Sequence, residues 1–92
     1  MTIKELMQAD SPTHLKSDHL KALWYDLHGD WDTAHRIVQN LYDPHAEWIH
    51  AYLHRKEGDL GNAKYWYRRS NRPYPGDISF DEEVSIILAE LP

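Results

Sequence analysis

The sequence repeats itself with a period of 29 residues, and this internal repeat constrains the fold more than any other feature. The residues that coincide are small or determine the backbone conformation. They are Ala22 and Ala51, Gly29 and Gly58, Asp30 and Asp59, Ala34 and Ala63, and Pro44 and Pro73. Glycine ends helices, aspartate caps the helix that follows, and proline is favoured in the first turn of a helix. The repeat therefore predicts two consecutive helix–turn–helix units.

Capping signals set the limits of these units. We predict hairpins at about residues 12–42 and 44–71, with the second helix of the first hairpin starting after Asp30. Ser11 and Pro12 are expected to open the first hairpin. No segment alternates polar and apolar residues as a half-buried strand does.

Two shorter helices flank the hairpins. Thr2 and Glu5 have the spacing of a capping box, which predicts a short N-terminal helix ending near Ala9. Ser79 begins a C-terminal capping helix at about 79–91. The predicted fold class is all-α, in a single domain of residues 1–92.

The hairpins resemble the tetratricopeptide repeat. The resemblance rests on the alanines at which paired helices touch, on the turns "GDW" and "GDL", on Val38 and Tyr67 at the large apolar position, and on the prolines. It implies a right-handed stack of hairpins. The period is 29 residues, whereas the family repeats every ~34. The segment from Trp48 to Arg69 is also similar to short bacterial proteins.

Composition limits the classes of partner. Fifteen acidic residues outnumber ten basic ones, for a net charge of −5. Nucleic acid is therefore not the expected partner, because such binding depends on cationic groups. The absence of cysteine excludes disulfides and favours a reducing compartment, predicted to be the cytoplasm. No run approaches the ~20 apolar residues that a membrane helix needs, so no membrane partner is expected.

The predicted function is non-catalytic binding of a protein, an extended peptide or a small anion. Arginines beside aromatic side chains suit acidic partners or free carboxylates, through paired hydrogen bonds and cation–π contacts. The candidate binding residues are Trp48, Tyr52, Arg55, Tyr65, Arg68 and Arg69. Burial of Trp48 and Tyr52 is an equally open interpretation. Trp66 and Tyr67 are expected in the core, because they align with Ile37 and Val38 one repeat earlier.

Two repeats are fewer than the usual three of a free-standing solenoid. We therefore expect the C-terminal helix to cover the second hairpin, with a homodimer as the alternative cover. No cofactor is predicted, and no motif of a catalytic nucleophile or phosphate-binding loop is present.

A histidine pair provides the alternative function, a metal site or a small enzyme. His50, His54 and Glu57 lie at positions i, i+4 and i+7, which places them on one face of a helix. Imidazoles one turn apart can chelate zinc, and a carboxylate can supply a third ligand. The competing interpretation is a solvated polar stripe. The other histidines show no shared spacing.

Overall fold

The computed structural model describes all 92 residues and contains six α-helices and no strand, which confirms the all-α prediction. The helices are α1 (Ile3–Gln8), α2 (Asp18–Leu27), α3 (Trp31–Gln39), α4 (Pro44–Glu57), α5 (Leu60–Arg69) and α6 (Phe80–Glu90). None of them has the length and apolar character needed to cross a membrane.

Side-chain caps define where every helix begins. The capping residues, each accepting a hydrogen bond from the backbone N–H three residues later, are Thr2, Ser17, Asp30, Asp43, Asp59 and Ser79. At Thr2 the bond is reciprocal, because the Glu5 side chain accepts from the Thr2 N–H at 2.9 Å. Each cap satisfies an N–H that has no partner within its helix, which stabilises the start by about 1 kcal/mol.

Three helix boundaries differ from the predicted ones. Ser17, not Ser11, caps α2, and Ser11 instead accepts from the Thr13 N–H at 3.1 Å within a separate turn. α3 ends at Gln39 rather than near residue 42. At this end the Asn40 side-chain amide donates to the Arg36 carbonyl oxygen at 2.9 Å. α5 ends at Arg69 because Asn71 adopts a left-handed backbone conformation with φ of 60°.

Helix α4 forms the centre of the molecule. α2 packs against α3, and α4 packs against α5, as the repeat predicts. α3 and α6 also pack on α4, so α4 is covered from several directions. The four alanines of the repeat, Ala22, Ala34, Ala51 and Ala63, are completely buried. Small side chains at these positions let neighbouring helices approach closely.

A buried carboxylate ties α6 to the second hairpin. Glu83 is 1% exposed. It accepts hydrogen bonds from Trp48 Nε1 at 3.0 Å, Tyr67 OH at 2.6 Å and Arg55 Nε at 3.0 Å. Arg55 also donates to the Ile78 carbonyl oxygen at 3.1 Å. This network connects α4 and α5 to α6, which contributes cover to the second hairpin as expected.

A second buried carboxylate joins the two hairpins. Asp26 of α2 accepts from Tyr52 OH at 2.5 Å, and Lys56 Nζ lies 3.2 Å from both of its carboxylate oxygens. Burial, and the negative charge of Asp26, raise the pKa of the Tyr52 hydroxyl. Tyr52 therefore keeps its proton and donates it in a hydrogen bond to Asp26, while its hydroxyl oxygen accepts from Lys56 Nζ at 3.4 Å.

Candidate metal centre

Three histidines meet at the interface between α3 and α4. His35 comes from α3, and His50 and His54 come from α4. One ring nitrogen from each lies within 4.8 Å of the other two. The Nε2 atoms of His35 and His50 are 3.1 Å apart. We call these three side chains the imidazole cluster.

Local structure explains why the rings converge. His50 and His54 are one turn apart, so their side chains leave α4 on the same face. The three-residue link between α3 and α4, followed by the Asp43 cap and Pro44 at the first helical position, starts α4 close to the end of α3. α3 and α4 then pack together, which brings His35 against that face.

Two tryptophans frame the imidazole cluster. Trp31 stacks on His35 with ring centroids 4.8 Å apart and planes inclined by 8°. Trp66 stacks on His50 at 4.0 Å and 15°. Trp31 is fixed in turn, because its Nε1 donates to the carbonyl oxygen of Leu53 at 2.8 Å. The frame restricts rotation of two of the three imidazole rings.

Glu57 orients the third ring. His54 Nδ1 lies 2.6 Å from Glu57 Oε2, close enough for the ring N–H to donate to the carboxylate. That bond places the proton on Nδ1 and leaves the Nε2 lone pair free. Carboxylates bound in this way to the far nitrogen commonly fix the tautomer of metal-ligating histidines.

Burial and mutual repulsion favour the neutral rings. Burial, together with the nearby His35 and His54, lowers the pKa of His50 to about 3. Burial is also the main reason that the pKa of His35 is lowered, and His54 adds to the effect, while Glu57 opposes it. Neutral imidazole is the form that binds metal ions, so these two rings need no deprotonation near pH 7.

Two of the three predicted metal ligands lie in the imidazole cluster, and the third does not. The structure brings His50 and His54 together and buries both, at 6% and 7% exposure, so the solvated-stripe interpretation is wrong. Glu57 contacts the Nδ1 side of His54 and does not join the group of three ligand atoms. Sequence reasoning missed His35. Its one available signal is its position a turn after Trp31, on the helix that adjoins α4.

Three of the predicted binding residues lie in the core. Trp48 and Tyr52 are buried, which decides the alternative that the sequence left open. Arg55 is buried too, and the carboxylate it binds is the chain's own Glu83, with Nη2 2.9 Å from Oε1. The expectation that Arg55 offers its guanidinium on an exposed surface is corrected, because α6 docks over it. Burial of Tyr67, predicted from the repeat, is confirmed.

The other three predicted binding residues are exposed on α5. Arg69 Nε lies 3.1 Å from Glu47 Oε2, and its Nη1 lies 3.4 Å from Tyr65 OH. Arg68 is exposed and forms no ion pair within the chain. Tyr65 contacts Trp66 edge to face at 5.2 Å. This exposed edge is therefore continuous with the tryptophan that covers His50.

Comparison of the chain with protein-family models, with curated protein sequences and with solved structures finds no match. The resemblance to the tetratricopeptide repeat stays a prediction.

Proposed function

We propose that this protein binds a divalent transition-metal ion through His35, His50 and His54. The observation that carries the proposal is the convergence of three imidazole nitrogens within 4.8 Å, from two helices. In a tetrahedral zinc site with bonds of ~2.0–2.1 Å, ligand nitrogens are about 3.3 Å apart. The Nε2 atoms of His35 and His50, at 3.1 Å, are already close to that separation.

The surroundings support metal binding over a core packed by neutral histidines alone. Glu57 bonds to the far nitrogen of His54 at 2.6 Å, the arrangement by which outer carboxylates raise ligand basicity. Trp31 and Trp66 hold the other two rings by stacking. Metal binding then needs only small ring movements, so little conformational entropy is lost.

The donor set favours a particular class of ion. Three imidazoles suit Zn²⁺, Cu²⁺ and Ni²⁺, whereas Ca²⁺ and Mg²⁺ prefer oxygen ligands. The chain has no cysteine to supply soft thiolate ligands. We therefore propose zinc-class ions as ligands of a non-catalytic protein.

Isothermal titration calorimetry, in which Zn²⁺ is added to chelator-treated protein, tests this function. We expect one ion per chain in the wild type. Alanine at His35 or at His50 is expected to weaken binding by more than the ~10–100-fold typical of losing an outer-shell partner. Far-UV circular dichroism establishes that each variant is folded.

The matched control is His14→Ala, which removes an exposed histidine outside the imidazole cluster. It should bind zinc like the wild type. Wild-type affinity in a folded His35→Ala variant, or equal loss in the His14→Ala control, would overturn the proposal.

A second candidate function is the binding of an acidic protein or peptide at the exposed edge of α5. It is favoured by the exposure of Arg68, Arg69 and Tyr65, and by Arg68 having no ion pair within the chain. A cytoplasmic, tetratricopeptide-like hairpin stack would present this edge to partners. Capture from a lysate by wild type but not by an Arg68→Ala/Arg69→Ala variant supports this function. Equal capture by the wild type and by this variant would show that the partner does not bind at this edge.

A further inference from the structure

The imidazole cluster supplies three ligands, and the chain offers no fourth at the same point. No other histidine and no carboxylate has a ligand atom within the same 4.8 Å group. Glu57 and Asp59 group with His54 but not with His35 and His50. Structural zinc sites are closed by four protein ligands, whereas sites with three keep a position for an exchangeable ligand.

The two carboxylates that group with His54 already accept hydrogen bonds. Glu57 accepts from His54 Nδ1 at 2.6 Å. Asp59 caps α5, where it accepts from the backbone N–H of Asn62 at 3.3 Å and from its side-chain amide at 2.8 Å. Closing the shell with either side chain would break these bonds.

The cluster also has one side that reaches solvent. His50 and His54 are buried, but His35 is only partly buried. Trp31 and Trp66 cover one face each of His35 and His50. His35 is therefore the most exposed of the three rings, so we expect a ligand from solvent to approach the ion beside it.

We infer that a metal ion bound by His35, His50 and His54 takes a small anion, such as a carboxylate or azide, at its fourth position. This inference rests on the proposed metal site. Three neutral imidazoles leave the full double positive charge of the ion uncompensated by its ligands. An anion in the fourth position reduces that charge, in a site where burial strengthens the attraction.

Cobalt substitution provides the test. Chelator-treated protein is loaded with one equivalent of Co²⁺, whose visible bands respond to coordination number and to the ligands present. Sodium azide and sodium acetate are then titrated at constant ionic strength. We expect a saturable shift of the bands in the wild type and the same shift in Asp59→Asn. Glu57→Gln should also show it once excess Co²⁺ has saturated its weaker site, because neither carboxylate occupies the fourth position.

The outcomes separate this inference from the proposed function. Failure of folded wild type to bind Co²⁺ would overturn both. Cobalt bound in the wild type, and lost in His35→Ala, with bands that neither azide nor acetate shifts, would overturn the anion site alone. A shift seen only in Glu57→Gln or only in Asp59→Asn would also overturn it, since that carboxylate then closes the shell.

Discussion

Replacing Glu83 with alanine tests how α6 is held to the rest of the protein. The carboxylate is 1% exposed and accepts from Arg55, Trp48 and Tyr67. Removing one member of a buried ion pair costs about 3–5 kcal/mol, because the partner charge remains buried without compensation. Small domains are stable by only about 5–15 kcal/mol. Glu83→Ala should therefore remove a large part of the free energy of unfolding.

Urea denaturation followed by far-UV circular dichroism measures this loss. Asp81→Ala is the matched control, because Asp81 lies on the same helix but is exposed. Asp81→Ala removes only a favourable negative charge near the start of α6, which stabilises the helix by at most ~1 kcal/mol.

A double variant isolates the charge effect. Arg55→Met combined with Glu83→Leu leaves neither charge buried, so it should be less destabilised than the sum of its single variants. If Glu83→Ala lowers the free energy of unfolding no more than Asp81→Ala does, or if the two single effects simply add in the double variant, the buried ion pair does not hold α6 in place.

Three further predictions concern pH, two glycines and an outer carboxylate. The folded pKa of His50 is about 3 against an ordinary 6.5. Between these two pKa values the unfolded chain binds a proton at His50 that the native ring does not. The stability of the metal-free protein therefore falls as the pH drops from 6.5 towards 3. Over this pH range His50 lowers the free energy of unfolding by about 1.4 kcal/mol per pH unit. Urea titrations from pH 7 to 4 should show a flatter slope in His50→Asn. In thermal unfolding, Gly58→Ala should destabilise by ~1–2 kcal/mol because φ is +89° at that position, whereas Gly61→Ala, which meets no atom within 4 Å, should stabilise by ~0.4–1 kcal/mol. Glu57→Gln should raise the zinc Kd about 10–100-fold with the fold intact. A pH slope that is the same in His50→Asn as in the wild type would contradict the first prediction. Equal effects of the two glycine changes would contradict the second, and an unchanged zinc Kd in Glu57→Gln would contradict the third.

Local signals in the sequence located most helices. The bounds of α4 follow from the Asp43 cap, from Pro44 and from Gly58, and they agree with the structure. The start of α2 could not be chosen in the same way, since Ser11 and Ser17 both have the chemistry of a cap. Which serine caps the helix depends on packing of residues that are distant in the sequence.

For the candidate site, too, the sequence predicted the local part and not the contacts between helices. The i, i+4 spacing of His50 and His54 is local, and it placed both rings on one face. His35 joins them from another helix, and no periodic pattern connects positions 15 residues apart on different elements. Burial of Arg55 was likewise invisible, because it depends on Glu83 arriving from α6.

A crystal structure of the zinc-loaded protein, with anomalous differences measured at the zinc edge, locates the bound ion. We expect one peak about 2.0–2.1 Å from a ring nitrogen of each of His35, His50 and His54. A peak between Glu57 and Asp59, a peak on an exposed histidine, or no peak from fully loaded protein would contradict it.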